Sequence, residues 1–265
     1  MLRIPLFHVD AFADRPLTGN PAAVCLLDSW LDDESLRKVA AENTLPATAF
    51  LVPGDDAYQL RWFTTSCEIR LCGHATLAAG FVVLKMLQPP REVARFETKQ
   101  GGILEVRSAE GALQMDFPAF FSRNWSGNPD QLIRAAGVQS TPVEILEANQ
   151  TWIAVLENNE VVATAHPNFE LLKKMHPYAV AITAPGKSED FVSRYFAPSY
   201  GISEDYVTGS LHCALAPYWA RHLGRNHLTA RQLSSRGGVL TCEMAGDRVR
   251  LTGNAILTMQ GTLQI

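Results

Sequence analysis

Arg61-Trp62-Phe63-Thr64-Thr65-Ser66 leads to Leu71-Cys72-Gly73-His74 and then into a long apolar run. Further along, Arg194-Tyr195-Phe196-Ala197-Pro198-Ser199 leads to Thr208-Gly209-Ser210 and a second apolar run. Gly73 and Gly209 stand 136 residues apart (209 − 73), as do the Gly101-Gly102 and Gly237-Gly238 pairs. Beyond each pair the match continues without a gap: Ile103-Leu104 over Val239-Leu240, Leu113 over Val249, Met115 over Leu251. The two arginines are 133 apart (194 − 61), so one three-residue insertion separates the blocks. A repeat of this length implies two similar domains facing each other, with the two small-Gly-polar turns as candidates for one shared site.

Each copy reads as strands around one apolar helix. The first predicts strands at residues 4–13, 48–53 and 58–63, and a helix at 32–43 capped by Asp32. A helix apolar on every face at 74–87 is a buried helix. Strands at 92–99, 103–108 and 113–117 follow, with turns at Gly101-Gly102 and Glu110-Gly111. The second copy predicts helices at 126–137 and 169–176, and strands at 152–156, 161–163 and 180–183. A second buried helix at 211–223 contains Pro217, which should kink it; strands over 237–257 close the copy. The fold class is α+β: two pseudo-symmetric domains, each a β-barrel-like sheet around a central apolar helix. Residues 1–118 form the first domain and 119–265 the second, the last strand being a candidate to pack on the first domain; 118–127 reads as the linker.

An apolar fraction of 47% and a charged fraction of 19% describe an ordinary globular protein. A net charge of −4 with no basic cluster argues against nucleic acid, which needs grouped Lys and Arg. No run approaches the roughly 18 apolar residues of a membrane span. The first ten residues lack the apolar core of a signal peptide, and five scattered cysteines read as reduced, mostly buried thiols, so the expected location is cytoplasmic. Seven histidines and five cysteines show no metal-ligand spacing, and no metal is expected.

The chemistry lies at the two turns. A glycine at the start of a helix without first-turn charges exposes free N–H groups at the positive dipole end, which suits an anion. Glycine also lets a ligand approach the backbone closely. Two such ends would hold a carboxylate or stabilise an enolate beside one. Cys72, His74, Thr208 and Ser210 ride on these turns, with Asp205 upstream, and a histidine and an aspartate could move a proton between positions of a bound substrate. Each has a plainer reading. His74 could cap its helix, Asp205 its turn, and Ser210 is favoured at any helix start. Cys72 reads as a small packing residue or as a thiolate activated by the helix end. Asn20, in Gly19-Asn20-Pro21, reads as a turn residue or a substrate contact, and His212 as a buried or rim side chain.

These segments, together with His8-Val9-Asp10-Ala11-Phe12, Gly19-Asn20-Pro21-Ala22-Ala23-Val24 and Leu71-Cys72-Gly73-His74-Ala75-Thr76-Leu77-Ala78, resemble the PhzF-like isomerase family, related in fold to diaminopimelate epimerase and proline racemase. The resemblance implies an active site between the domains, no cofactor, a homodimer, and a proton shift on a small-molecule carboxylate. By position it places catalytic roles on His74 and Asp205, and substrate contacts on Asn20, Cys72, Gly73, Thr208, Gly209 and Ser210. One departure matters. Where the family carries its principal acid/base glutamate, in a Ser-Glu-Thr-Ala-Phe type segment, this chain has Pro46-Ala47-Thr48-Ala49-Phe50, and Ala47 cannot carry a proton. Tyr206 and Leu211 also replace smaller family residues beside the second turn. The expected activity is therefore isomerase-type, weakened or lost through Ala47. The rival is a non-catalytic ligand-binding or interaction protein on the same scaffold. A carboxylate from Glu68 or Glu42 beside Ala47 would favour the enzyme; an empty or apolar site there would favour the rival.

Overall fold

A computed structural model of the chain describes residues 1–99 and 102–265. The fold is α+β, mostly sheet with few helices. It divides into two compact units: Met1–Asp116 with Thr252–Ile265, and Phe117–Leu251. The last strand, Ala255–Gln264, pairs antiparallel with Arg3–Ala11 of the first unit, from Arg3↔Gln264 to Ala11↔Ala255.

The repeat seen in the sequence is also a repeat of topology. In the first unit, strands Asn20–Leu26, Ala47–Val52, Tyr58–Phe63, Val93–Thr98 and Gly102–Ala109 are joined by parallel, antiparallel, parallel and antiparallel pairings in that order. In the second, Thr151–Val155, Ala179–Pro185, Phe191–Ala197, His227–Gln232 and Gly238–Ala245 follow the same alternation. The first unit buries Ile4, Leu36, Phe50 and Phe63 in one cluster. The second buries Leu132, Ile182 and Phe196 in another.

The central helices begin 136 residues apart, at Gly73–Phe81 and Gly209–Leu223. The first packs on strands Arg3–Ala11, Asn20–Leu26, Ala47–Val52 and Gly102–Ala109. His74 to Gly80 are all buried, as a helix apolar all round requires. It continues as a π-helical segment, Val82–Leu87. The second helix continues past Pro217 to a left-handed Gly224 cap. Proline removes the N–H that would bond the carbonyl of Cys213. The Phe120 N–H, from the linker, takes that carbonyl at 2.9 Å and repairs the loss.

Local signals decide the differences from expectation. Residues 161–163 were expected as a strand but belong to the helix Asn159–Ala163. Asn158 caps it by accepting from Glu160 N and Val161 N, and the cap outweighs the strand preference of two valines. The helix expected over 126–137 is Pro129–Ala136, set by Asn128 as cap, Pro129 in the first turn and left-handed Gly137. That expected over 169–176 is the short Phe169–Lys173. The linker holds a two-residue strand, Arg123–Asn124, paired with Leu146 and Glu147. Of the turn expected at Gly101-Gly102, Gly101 lies outside the described residues, and Gly102 opens a strand with φ +68°. Among the described residues no helix is long and apolar enough to cross a membrane.

Candidate active site

At the first turn, Cys72 is the extended residue before the helix, and its own side chain makes no capping hydrogen bond. Thr76 turns its hydroxyl back onto the Cys72 carbonyl at 2.7 Å, fixing the turn from inside. Cys72 Sγ lies 3.5 Å from His74 Nδ1 and 3.8 Å from Nε2, within hydrogen-bonding reach for sulfur. Burial pulls the His74 pKa down to about 4, so its ring is neutral near neutral pH. A neutral imidazole has one N–H to give and one lone pair to receive, and can relay a proton without changing charge. Asn20 is fully buried at the start of its strand, opposite Ala11.

Ala47 is fully buried at the head of strand Ala47–Val52, opposite Ala22. The two candidate carboxylates have surroundings of their own. Glu42 is exposed on helix Asp33–Asn43. Glu68 is gripped by Arg61, Nε to Oε1 and an Nη to Oε2, both at 2.7 Å. The guanidinium holds the Glu68 carboxyl below its ordinary pKa, keeping it an anion committed to Arg61.

The second turn repeats this construction with different groups. Thr208 precedes the helix in extended conformation, again with no side-chain cap bond among the described residues. A threonine here ordinarily turns its oxygen toward the first-turn N–H groups. Instead Thr208 Oγ1 donates to Asp205 Oδ2 at 2.6 Å. His212, a turn into the helix, bonds the Thr208 carbonyl through Nδ1 at 2.8 Å, as Thr76 does for Cys72 136 residues earlier. Burial lowers the His212 pKa to about 4. Gly209 is buried, whereas Ser210 is exposed on the first turn.

The structure thus brings Cys72, Gly73 and His74 together in the first unit, and Asp205, Thr208, Gly209 and Ser210 together in the second. Sequence reading missed two supports. One is the paired Arg–Glu clasp. Arg194 holds Glu204 as Arg61 holds Glu68, at 2.7 and 2.9 Å, each guanidinium 5.1 Å from a phenylalanine ring, Phe63 or Phe196. Glu68 and Glu204 are 136 apart, so the repeat spacing itself carried the signal. The other is Gln232, fully buried beneath the second turn, which no local pattern marks.

The architecture is shared with the epimerases. A hydroxyproline epimerase from Agrobacterium vitis superposes with a TM-score of 0.63 at 11% identity, over 98% of this chain and 92% of that one, a likeness of fold alone. The particular family follows from closer matches. The family model described as phenazine biosynthesis-like protein matches residues 9–261. An uncharacterized isomerase of Pseudomonas aeruginosa is 46% identical over 264 residues, covering all of both chains. A solved PhzF family structure from Enterococcus faecalis superposes with a TM-score of 0.94 at 39% identity, again covering all of both. The chain belongs to the PhzF-like isomerase family.

Proposed function

We propose that the chain is built for cofactor-independent acid/base proton transfer on a small carboxylate, with Asp205 and His74 handling protons. Asp205 as carboxylate takes a proton from the carbon next to a carbonyl and, as the acid so formed, returns it at another position of the same substrate, which regenerates the carboxylate. His74 relays a proton as a neutral ring. N–H groups at the starts of the two central helices receive the substrate carboxylate and the negative charge of the enolate. Asn20, Cys72, Gly73, Thr208, Gly209 and Ser210 are the proposed substrate contacts.

One observation carries this reading. Among the described residues, a Cβ added at Gly209 would meet Leu251 Cδ1 alone, at 3.5 Å, an ordinary contact, and Gly209 is not among the glycines with positive φ. Neither space nor conformation among the described residues calls for glycine there. Its bare N–H end suits the close approach of a ligand.

A second reading has its own support. Ala47 is fully buried and Glu68 is committed to Arg61, so nothing observed replaces the family glutamate. On that reading turnover is lost and ligand binding remains. Both are tested by deuterium incorporation from heavy water into a panel of small carboxylates, chosen by thermal shift and read by mass spectrometry. The chain and Ala47→Glu are run side by side. Exchange by the chain itself that is lost in Asp205→Asn supports the enzyme. Exchange only after Ala47→Glu supports an isomerase scaffold without its base. No exchange by either protein on a demonstrated ligand overturns the isomerase reading.

A further inference from the structure

We infer that Gln232 is a positioning residue for Asp205, acting through the hydroxyl of Thr208; its catalytic relevance rests on the role proposed above for Asp205. Gln232 ends strand His227–Gln232 and is fully buried. A buried amide is costly unless its polar atoms are bonded. Among the described residues, its three side-chain bonds all go to the turn that carries Asp205. Oε1 accepts the Thr208 N–H at 2.8 Å, and Nε2 donates to the Asp205 carbonyl at 2.7 Å and to Thr208 Oγ1 at 3.2 Å.

These partners fix the direction of every bond. Reversing the amide would set donor against donor at the Thr208 N–H and acceptor against acceptor at the Asp205 carbonyl. With Nε2 as donor, the Thr208 hydroxyl accepts from Gln232 and points its own hydrogen at Asp205 Oδ2, 2.6 Å away. Amide, hydroxyl and carboxylate form a one-way chain that holds the carboxylate in place and favours its ionised form. The Thr208 hydroxyl spends its hydrogen and one lone pair in this chain.

The first unit shows that the scaffold does not need a glutamine here. Thr98 occupies the matching position: it pairs with Gly102 as Gln232 pairs with Gly238. Its hydroxyl donates to the Gly102 carbonyl of its own hairpin. The long amide belongs to the copy that carries the aspartate.

The test is a carboxyl carbon NMR titration of full-length protein labelled at aspartate, with Asp205 assigned by loss of its signal in Asp205→Asn. Gln232→Met, close in length but apolar, should raise the Asp205 midpoint by about half to one pH unit. Thr208→Val should raise it at least as much, Thr208→Ser should leave it near its original value, and the double variant should shift no further than Thr208→Val alone. A merely structural glutamine would lower stability and leave the midpoint alone. An unchanged midpoint in Gln232→Met, or shifts that add in the double variant, would overturn the inference. Should Gln232→Met not fold, equal midpoints for Thr208→Val and Thr208→Ser overturn it instead. The titration needs no substrate, so failed deuterium exchange would sink the proposed activity without touching this result.

Discussion

Replacing Gly209 with alanine should strengthen the fold and weaken the site at once. The added methyl meets Leu251 Cδ1 at 3.5 Å, and the backbone there is not in the positive-φ region. Gly→Ala at a compatible position stabilises by about 0.4–1 kcal/mol, chiefly by restricting the unfolded chain. At roughly 2–4 °C per kcal/mol for a chain of this size, Tm should rise by about 1–4 °C. On the binding side, a ligand held by the first-turn N–H groups as proposed would approach the Gly209 backbone closely, and the methyl would crowd it. Losing one hydrogen bond to a charged ligand costs about 1.5–3 kcal/mol, or roughly 10- to 150-fold in Kd. Calorimetric unfolding gives the first number, and titration calorimetry with the tightest small carboxylate from the thermal-shift panel gives the second. A lower Tm would mean that the fold does need this glycine. A raised Tm with unchanged affinity would mean that no ligand approaches here, and the assignment of the helix start as an anion site would fall.

Two further predictions concern charge. Glu68→Gln takes from Arg61, whose side chain is 12% exposed, its two-point partner and leaves it Asp33 Oδ1 at 2.7 Å, and should cost about 1 kcal/mol near neutral pH by urea denaturation. The folded Glu68 pKa is depressed, so the difference from the parent should hold above 4.5 and close as pH falls below it; a gap independent of pH would refute the clasp. His74 and His212 are held neutral by burial, with folded pKa values of about 4 against 6.5 unfolded. Stability should therefore be full above 6.5 and fall between 6.5 and 4, by up to roughly 3 kcal/mol per histidine. His212→Gln should flatten that slope in Tm against pH, and an identical slope would show that His212 does not contribute.

The fold was legible because a duplication is visible twice over. The glycines at 73 and 209 mark both helix starts, and strands Gly102–Ala109 and Gly238–Ala245 begin at the same spacing. What stayed hidden was of two kinds. Short elements turned on single residues: Asn158 converts a valine pair from expected strand to helix, a decision that side-chain periodicity does not register. Long-range partnerships leave no local trace. Nothing in the sequence around Gln232 points 27 residues back to Asp205, and nothing around Cys213 announces that the Phe120 N–H makes Pro217 tolerable. Ala47 was readable as a lost proton carrier, but the engagement of Glu68 with Arg61 depends on how the strands bring the two side chains together.

The pairing of Ala255–Gln264 with Arg3–Ala11 has a consequence for synthesis. Leu2 and Ile265 exchange backbone hydrogen bonds at 2.7 and 3.0 Å, while residues 117–251 belong to the other unit. A ribosome therefore releases every residue of the second unit before it releases the strand that completes the first. Until then the opening strand has, among the described residues, one strand partner, Asn20–Leu26, and offers its other edge to any extended chain nearby. A message truncated after residue 251 would leave that exposure permanent, and its product should be cleared or aggregate through the first unit, with the second intact.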